Sequence, residues 1–329
     1  MKITFFGIES WQKEYLKQRI LGHEVKYFEK PLHEVKDKEI YESEIICVFV
    51  FCKANKQILS KFKNLKLIST MSAGFDHIDL DYCKKNNIIV TNASGYGDNT
   101  VAEMVFSLLL NLTRSTHLAH ARAKKGELSF EGFLGQDLRG KTLGVLGTGR
   151  IGQNSVKIAN GFGMKVIAYD AYPNYDLKHS LGFEYVDKET LLANSDFITI
   201  HTPLFKSTLH MIDKEAVQKM KQGVILINTS RGPVIDTLAL YEGLKSGKIA
   251  AAGLDVLEDE LQMKEHKKVT GIDKKIVDIN KKLLKMDNVI ITPHLAFYTK
   301  EAIIRILDIT LTNIYDLIEN RGFRNQIKN

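Results

Sequence analysis

Thr142-Leu143-Gly144-Val145-Leu146-Gly147-Thr148-Gly149-Arg150-Ile151-Gly152 is the stretch whose reading decides the fold of this 329-residue chain. A short apolar run of strand type leads into a G-x-G-x-x-G turn, and an amphipathic helical pattern continues from Gln153. The glycine pattern alone is a weak signal. Set between a strand and a helix, it is the phosphate-binding turn of a dinucleotide fold. Gly147 permits the tight turn, Gly149 lets backbone approach a pyrophosphate, and Gly152 lets the helix pack closely on the strand. The helix N-terminus offers free N–H groups and a positive dipole end to phosphates, and Arg150 adds a charge-assisted contact. Asp170 ends the next apolar run, about 20 residues beyond the glycines, where a carboxylate takes the adenosine ribose hydroxyls. It would repel a 2′-phosphate, so the cofactor expected is NAD.

Outward from this turn the chain alternates strand-like and helix-like segments, the pattern of parallel α/β layers. Downstream, strands are expected at 142–146, 165–169, 197–200, 224–228, 251–256 and 289–292. Upstream, they are expected at 3–7, 25–28, 45–51, 67–70 and 88–91, none followed by a phosphate-binding glycine motif. That earlier layer is therefore assigned to substrate. A long apolar helix, roughly 99–122, links the two layers, and its nearly all-round hydrophobic first half needs cover on more than one face. A last helical segment, 300–320, returns the chain to the first layer. The fold expected is α/β with two doubly wound parallel-sheet domains. A Rossmann NAD-binding domain, 99–295, is inserted into a discontinuous flavodoxin-like substrate domain, 1–98 and 296–329.

Composition narrows the function classes. A length of 329 residues favours two domains over one core, and 44% hydrophobic with 26% charged residues is ordinary for a globular protein. Lys and Arg exceed Asp and Glu by 46 to 39, with clusters such as Lys264, Lys267, Lys268, Lys274 and Lys275. No arginine stripe or interleaved aromatic row accompanies them, which argues against nucleic acid. The lysine-rich stretch 262–285 reads as a solvated surface helix and loop. The three cysteines, Cys47, Cys52 and Cys83, form no CxxC pair and match no zinc spacing, so no metal site is expected. The apolar stretch at the amino terminus is too short for a signal peptide, and 101–112 is too short to span a bilayer. A cytoplasmic protein without a membrane role is expected.

Three candidate reactive groups follow strand-like runs downstream of the glycine turn, and in an open parallel sheet the carboxyl ends of the strands gather ligands. Arg231, after the run ending at Asn228, can grip an α-carboxylate and a carbonyl through its planar fork. His294, after Ile290-Ile291-Thr292-Pro293, is a candidate proton donor and acceptor. A carboxylate beside that imidazole would fix its tautomer and orientation. Glu258, Asp259 and Glu260 all qualify on spacing, and the residues alone do not rank them. Each of these groups by itself would more often be structural; their coincidence after one dinucleotide turn points to hydride transfer on a 2-oxo acid.

Read together, several motifs in order resemble the D-isomer-specific 2-hydroxyacid dehydrogenase family over nearly the whole length. They are Ser72-Ala73-Gly74-Phe75-Asp76-His77-Ile78-Asp79, Asn99-Thr100-Val101-Ala102-Glu103, the glycine turn, His201-Thr202-Pro203-Leu204, Asn228-Thr229-Ser230-Arg231-Gly232, Gly253-Leu254-Asp255-Val256 and Thr292-Pro293-His294. The resemblance implies two α/β domains, NAD as cofactor and a homodimer built through the long helix. It implies that Glu260 is the catalytic carboxylate, with Arg231 binding the substrate and His294 as acid and base. It implies cofactor-lining roles for Thr100, Arg150, Ile151, Asp170, Thr202, Pro203, Thr208, Thr229, Ser230 and Arg231, and places Asp255 at the nicotinamide end. Backbone N–H groups around Ala73 and Gly74 resemble the substrate-carboxylate cradle. Tyr96 and His294-Leu295-Ala296-Phe297-Tyr298-Thr299 look most like D-lactate dehydrogenases, with Tyr96 touching substrate and Phe297 walling its pocket. Interconversion of D-lactate and pyruvate is the first expectation, and glyoxylate or hydroxypyruvate reduction the alternative. A corepressor-like NAD sensor is a third reading, disfavoured by the complete Arg231, Glu260 and His294 set.

Overall fold

The computed structural model describes residues 1–260, 263 and 272–327. Within these residues the chain divides into two compact units, Met1–Gly97 with Thr299–Asn329, and Asp98–Tyr298. Residues 264–271, which carry part of the lysine-rich stretch, lie outside the described residues.

In the first unit, β1 (Lys2–Phe6), β2 (Glu24–Phe28), β3 (Ile45–Val48), β4 (Leu67–Thr70) and β5 (Ile89–Asn92) form one sheet in the order β2-β1-β3-β4-β5. Every pairing is parallel. This is the flavodoxin-like strand order. β3 and β4 are buried at every position, as strands covered on both faces should be. Expected to reach residue 51, β3 stops at Val48 because the chain turns there, with Cys52 N–H donating to the Phe49 carbonyl at 2.9 Å. The turn lets Phe49 and Phe51 stack at 5.6 Å over Gly7, which has φ +75°. A Cβ at Gly7 would lie 2.8 Å from the outer end of the Phe51 ring, and the left-handed φ is what favours glycine there. The helix Lys300–Ile318 starts at a Thr299 cap and packs on β4. Its buried Asn313 donates to the Ser69 hydroxyl and the Asn92 carbonyl, both at 3.1 Å.

In the second unit, β6 (Thr142–Leu146), β7 (Lys165–Tyr169), β8 (Glu184–Tyr185), β9 (Phe197–Ile200), β10 (Val224–Asn228), β11 (Ile249–Leu254) and β12 (Val289–Ile291) form a parallel sheet. Its order, β12-β11-β10-β9-β6-β7-β8, is that of a Rossmann fold extended by one strand. The strand order reverses between β6 and β9, so the carboxyl end of that pair is the place where such sheets bind ligands. The two-residue β8 was not foreseen from the sequence; it is too short to show alternation. β11 begins two residues before the expected 251 and ends at Leu254, where Asp255 N–H turns to the Asn228 carbonyl at 2.9 Å.

The expected helix over 99–122 is two helices, Asp98–Arg114 and Thr116–Ala123. Ser115 between them adopts the left-handed φ of +49°. The Thr113 hydroxyl donates back to the Leu109 carbonyl at 2.9 Å, and the Thr113 carbonyl accepts the Gln136 N–H at 3.0 Å, so the helix end is satisfied from outside. The first helix buries Val101, Ala102, Val105, Phe106, Leu108, Leu109 and Leu112 against the helix Arg150–Gly161 and the sheet. Gly253 on β11 permits that approach: a Cβ there would lie 3.0 Å from Leu108 Cβ and 2.8 Å from Ile227 Cδ1. Among the described residues, no helix is long and apolar enough to cross a membrane.

Candidate active site

Each glycine of the 147–152 turn meets a different constraint. Gly147 has φ +97°, and a Cβ on it would press on the His201 carbonyl group at 3.1–3.2 Å, so β6 and β9 close up at their ends. Gly152 is in contact with Gly147: a Cβ would fall 2.1 Å from its carbonyl oxygen, so the helix can seat on the turn only without a side chain. Gly149, by contrast, has no atom within 4 Å of a would-be Cβ. It starts the helix Arg150–Gly161 as its N-cap and leaves open space at a helix N-terminus, which is what a pyrophosphate requires.

Two further observations fit a dinucleotide here. The hydroxyls of Thr202 and Thr229 are buried without a hydrogen-bond partner among the described residues. Buried polar groups are normally satisfied, and both threonines stand at the carboxyl ends of strands, after β9 and β10. Asp170 follows β7, and its carboxylate accepts from Thr148 N–H at 2.7 Å, the Thr148 hydroxyl at 3.0 Å and Tyr172 N–H at 2.9 Å. It is held against the glycine turn, half-buried, at the position expected for a ribose contact. Arg150 is exposed at the first residue of the helix, Ile151 is half-buried beside it, and Thr100 is buried in the helix Asp98–Arg114. Pro203 and Thr208 lie in the loop after β9, where the Thr208 hydroxyl donates to the Pro203 carbonyl at 2.6 Å and accepts Phe205 N–H at 2.7 Å. That hydroxyl latches its own loop.

Arg231 stands three residues beyond β10. Asn228, the last residue of that strand and 1% exposed, folds the intervening turn: its Oδ1 accepts Ser230 N–H at 3.0 Å and the Ser230 hydroxyl at 2.9 Å, while its Nδ2 donates to the Arg231 carbonyl at 3.0 Å. The guanidinium donates to the Ser230 carbonyl at 2.8 Å. At Gly232 the turn touches the chain beyond β11, since a Cβ would lie 2.0 Å from the Leu257 carbonyl carbon and 2.3 Å from Glu258 N. The Arg231 turn and the 257–260 turn therefore share a surface without a gap.

Beyond β11 and β12, the imidazole finds its carboxylate. His294 Nδ1 lies 2.8 Å from Glu260 Oε1, with the two side chains 20% and 24% exposed. Of the three carboxylates left open by spacing, Glu260 is the one on the imidazole. Glu258 is engaged elsewhere, with His210 Nε2 at 2.9 Å and the Thr237 hydroxyl at 2.7 Å. Asp259 between them adopts φ +55°, which swings the neighbouring side chains apart. His294 itself has φ +56°, and its N–H donates to the Asp255 carbonyl at 2.8 Å. Asp255, 1% exposed, accepts the Thr292 hydroxyl at 2.6 Å and the N–H groups of Leu295 and Ala296, both at 2.9 Å. Its carboxylate thus shapes the turn that carries the imidazole. Phe297 stands edge-on to His294, with ring centroids 6.4 Å apart.

In the first unit, Ala73 and Gly74 follow β4. The Ala73 carbonyl accepts from Asn92 Nδ2 at 2.9 Å and the Gly74 carbonyl from the Ser72 hydroxyl at 2.7 Å, which fixes the backbone there. The Tyr96 carbonyl accepts from Arg305 Nε at 2.6 Å.

Sequence reading gave no part to Asn228 or Glu258 as braces, because neither motif position signals a side chain folded back on its own loop. His201 was likewise noted only within a motif. Its Nε2 lies 3.0 Å from the Ser155 hydroxyl and 3.1 Å from that of Thr199, and burial pushes the imidazole down to about 3. The free imidazole titrates near 6.5, so the unfolded chain binds a proton that the folded one refuses. The folded state is then fully favoured above about pH 6.5 and loses stability as pH falls towards 3. Replacing His201 with Gln should flatten the decline in melting temperature between pH 6.5 and 4 relative to the parent chain; an equal slope in both proteins would contradict this.

The family model described as D-isomer specific 2-hydroxyacid dehydrogenase, NAD binding domain, matches residues 106–296. D-Lactate dehydrogenase of Escherichia coli (strain K12) is 35% identical over 331 residues, covering 99% of this chain and 100% of its own. Hydroxypyruvate reductase of Thermotoga maritima is 43% identical, covering 80% of this chain and 81% of its own. Among solved structures, D-lactate dehydrogenase from Aquifex aeolicus, complexed with NAD and lactic acid, superposes with a TM-score of 0.86 at 39% identity, covering 97% of this chain and 96% of that one. A Rossmann sheet with an open glycine turn is what such a likeness requires at residue level. The chain belongs to the D-isomer-specific 2-hydroxyacid dehydrogenase family and is an NAD-dependent oxidoreductase.

Proposed function

We propose that this dehydrogenase interconverts pyruvate and D-lactate, or a closely related small 2-oxo acid and its D-2-hydroxy acid. The observation that carries the chemical part is the Glu260–His294 pair at 2.8 Å, on a turn pressed against the one bearing Arg231. The Arg231 fork binds the substrate carboxylate and carbonyl oxygen, fixing which face of the carbonyl carbon is presented. Bound NADH supplies the hydride. His294 donates a proton from Nε2 to the carbonyl oxygen as negative charge develops there. Glu260 keeps the Nδ1 proton in place, so Nε2 is the atom that exchanges a proton in either direction. Phe297 walls the substrate side chain, and Ala73, Gly74 and Tyr96 are the substrate contacts proposed for the first unit.

For the cofactor we propose contacts from Gly147, Gly149, Arg150, Ile151, Gly152, Asp170, Thr202, Pro203, Thr208, Thr229, Ser230, Arg231, Asp255 and Thr100. The open space at Gly149 and the unpartnered Thr202 and Thr229 hydroxyls support this set. Replacing Asp170 with Ala should weaken NADH binding much more than NADPH binding, by fluorescence titration; equal losses would count against the ribose contact. A homodimer is proposed as well. Leu128, Phe130 and Leu134, just past the long helix pair, are almost wholly exposed and would gain cover in one. Cys47, Cys52 and Cys83 are all free, buried thiols, which suits a reducing compartment, and a cytoplasmic location is proposed.

The substrate reading is tested by following NADH absorbance with a panel of 2-oxo acids. Pyruvate is expected to give the highest kcat/KM, with formation of the D isomer. A higher value for hydroxypyruvate or glyoxylate would favour the second reading, which the Thermotoga maritima relative supports. No turnover with any 2-oxo acid would overturn both.

A further inference from the structure

The side chain two residues before Glu260 does no chemistry in the proposed reaction, yet both of its carboxylate oxygens are engaged. Glu258 is 11% exposed at its side chain. One carboxylate oxygen meets His210 Nε2 at 2.9 Å; the other accepts the Thr237 hydroxyl at 2.7 Å and Thr237 N–H at 3.4 Å. Thr237 opens the helix Thr237–Lys245, whose positive N-terminal end favours an anion. From the opposite side, the buried Asn280 of the helix Ile272–Leu283 donates to the Glu258 carbonyl at 2.8 Å.

His210 is in turn fixed to the Arg231 side. Its N–H donates to the Pro233 carbonyl at 2.8 Å, Ile212 N–H donates to the Val234 carbonyl at 3.1 Å, and Ile212 pairs with Ile235 in a parallel bridge. The chain 210–212 is thus laced along 233–235, directly after the Arg231-Gly232 turn. The His210 ring then crosses to Glu258, which lies two residues from the carboxylate on His294. Gly232 closes the remaining distance by packing on Leu257 and Glu258 backbone.

We propose that Glu258 and His210 together are positioning residues for the reaction: their contact holds the Arg231 turn and the Glu260–His294 turn in register. The inference rests on the roles given above to Arg231, Glu260 and His294. A substrate gripped by Arg231 meets the His294 proton correctly only if the two turns keep a fixed separation. A misplacement on the order of 1 Å in such a site costs about 10²-fold in rate. The contact contributes through geometry and touches neither substrate nor cofactor.

The test uses the full chain at saturating NADH, with pyruvate varied. Glu258→Ala should lower kcat/KM about 10- to 100-fold while NADH affinity stays unchanged. Glu258→Gln should restore most of the loss, because the amide still accepts from Thr237 and can donate to a neutral His210. His210→Ala should fall to a similar degree and carries the test should Glu258→Ala not fold. The double variant should be no worse than the poorer single one, as expected for two groups acting as a unit. Single variants within twofold of the parent, or losses that multiply in the double variant, would overturn the proposal. Arg231→Gln in the same assay separates the two levels. If it keeps full activity, the reading of the site itself fails; if it collapses while Glu258→Ala does not, only the positioning role falls.

Discussion

Replacing His294 with Asn should lower kcat for 2-oxo acid reduction by about 10²- to 10⁴-fold, with NADH affinity little changed. The choice of Asn matters. His294 sits at φ +56°, a conformation that most side chains avoid and Asn tolerates. The turn also depends on backbone groups and on Asp255, through Thr292, Leu295 and Ala296, none of which the substitution removes. A folded protein lacking only the proton-exchanging nitrogen is therefore expected. Glu260→Gln should cost less, because the amide oxygen can still accept from Nδ1 and hold the ring, although the negative charge is gone. Steady-state kinetics with NADH titration on the same preparations checks both. If His294→Asn retained a kcat within tenfold of the parent, another group would be supplying the proton, and the assignment would be wrong.

The fold was legible in the sequence where burial imposes a strong pattern. The strands 67–70, 142–146, 165–169, 197–200 and 224–228 end where expected; 142–146 runs into Gly147, 165–169 into Asp170 and 224–228 closes on Asn228. The helix break at Ser115 was not legible: no proline or glycine marks it, and the Thr113 carbonyl there accepts the N–H of Gln136, a partner outside the helix. The reactive site divides along the same line. Strand ends marked Arg231 and His294 as candidates, since both follow strands of the parallel sheet that carries the glycine turn. Spacing did not separate Glu258, Asp259 and Glu260. What separates them is the left-handed backbone at Asp259 and the capture of Glu258 by His210 and Thr237, partners 48 and 21 residues away in sequence. Long-range bonds of this kind leave no local pattern to read.

Arg231→Gln is expected to reduce kcat/KM for 2-oxo acids on the order of 10²- to 10³-fold, the loss that follows when one member of a desolvated charge pair is cut back. The effect should appear mainly in KM for the 2-oxo acid, with a smaller fall in kcat, since the same fork both binds the carboxylate and orients the carbonyl. Arg231→Lys should recover only part: the charge returns, but a single ammonium cannot reproduce two parallel N–H bonds. Two features make the local fold insensitive to this side chain. Asn228 bonds the backbone of the turn, through Ser230 N–H and the Arg231 carbonyl, and Gly232 seats the turn against Leu257 without using the guanidinium. The guanidinium's bond to the Ser230 carbonyl adds to the turn's order but is not its only tether. Melting temperature should therefore stay near that of the parent and NADH affinity should fall far less than affinity for the 2-oxo acid, which separates substrate binding from general damage. A variant that lost NADH binding while keeping its KM for pyruvate would leave Arg231 with the cofactor alone and the substrate carboxylate without its proposed partner in this unit.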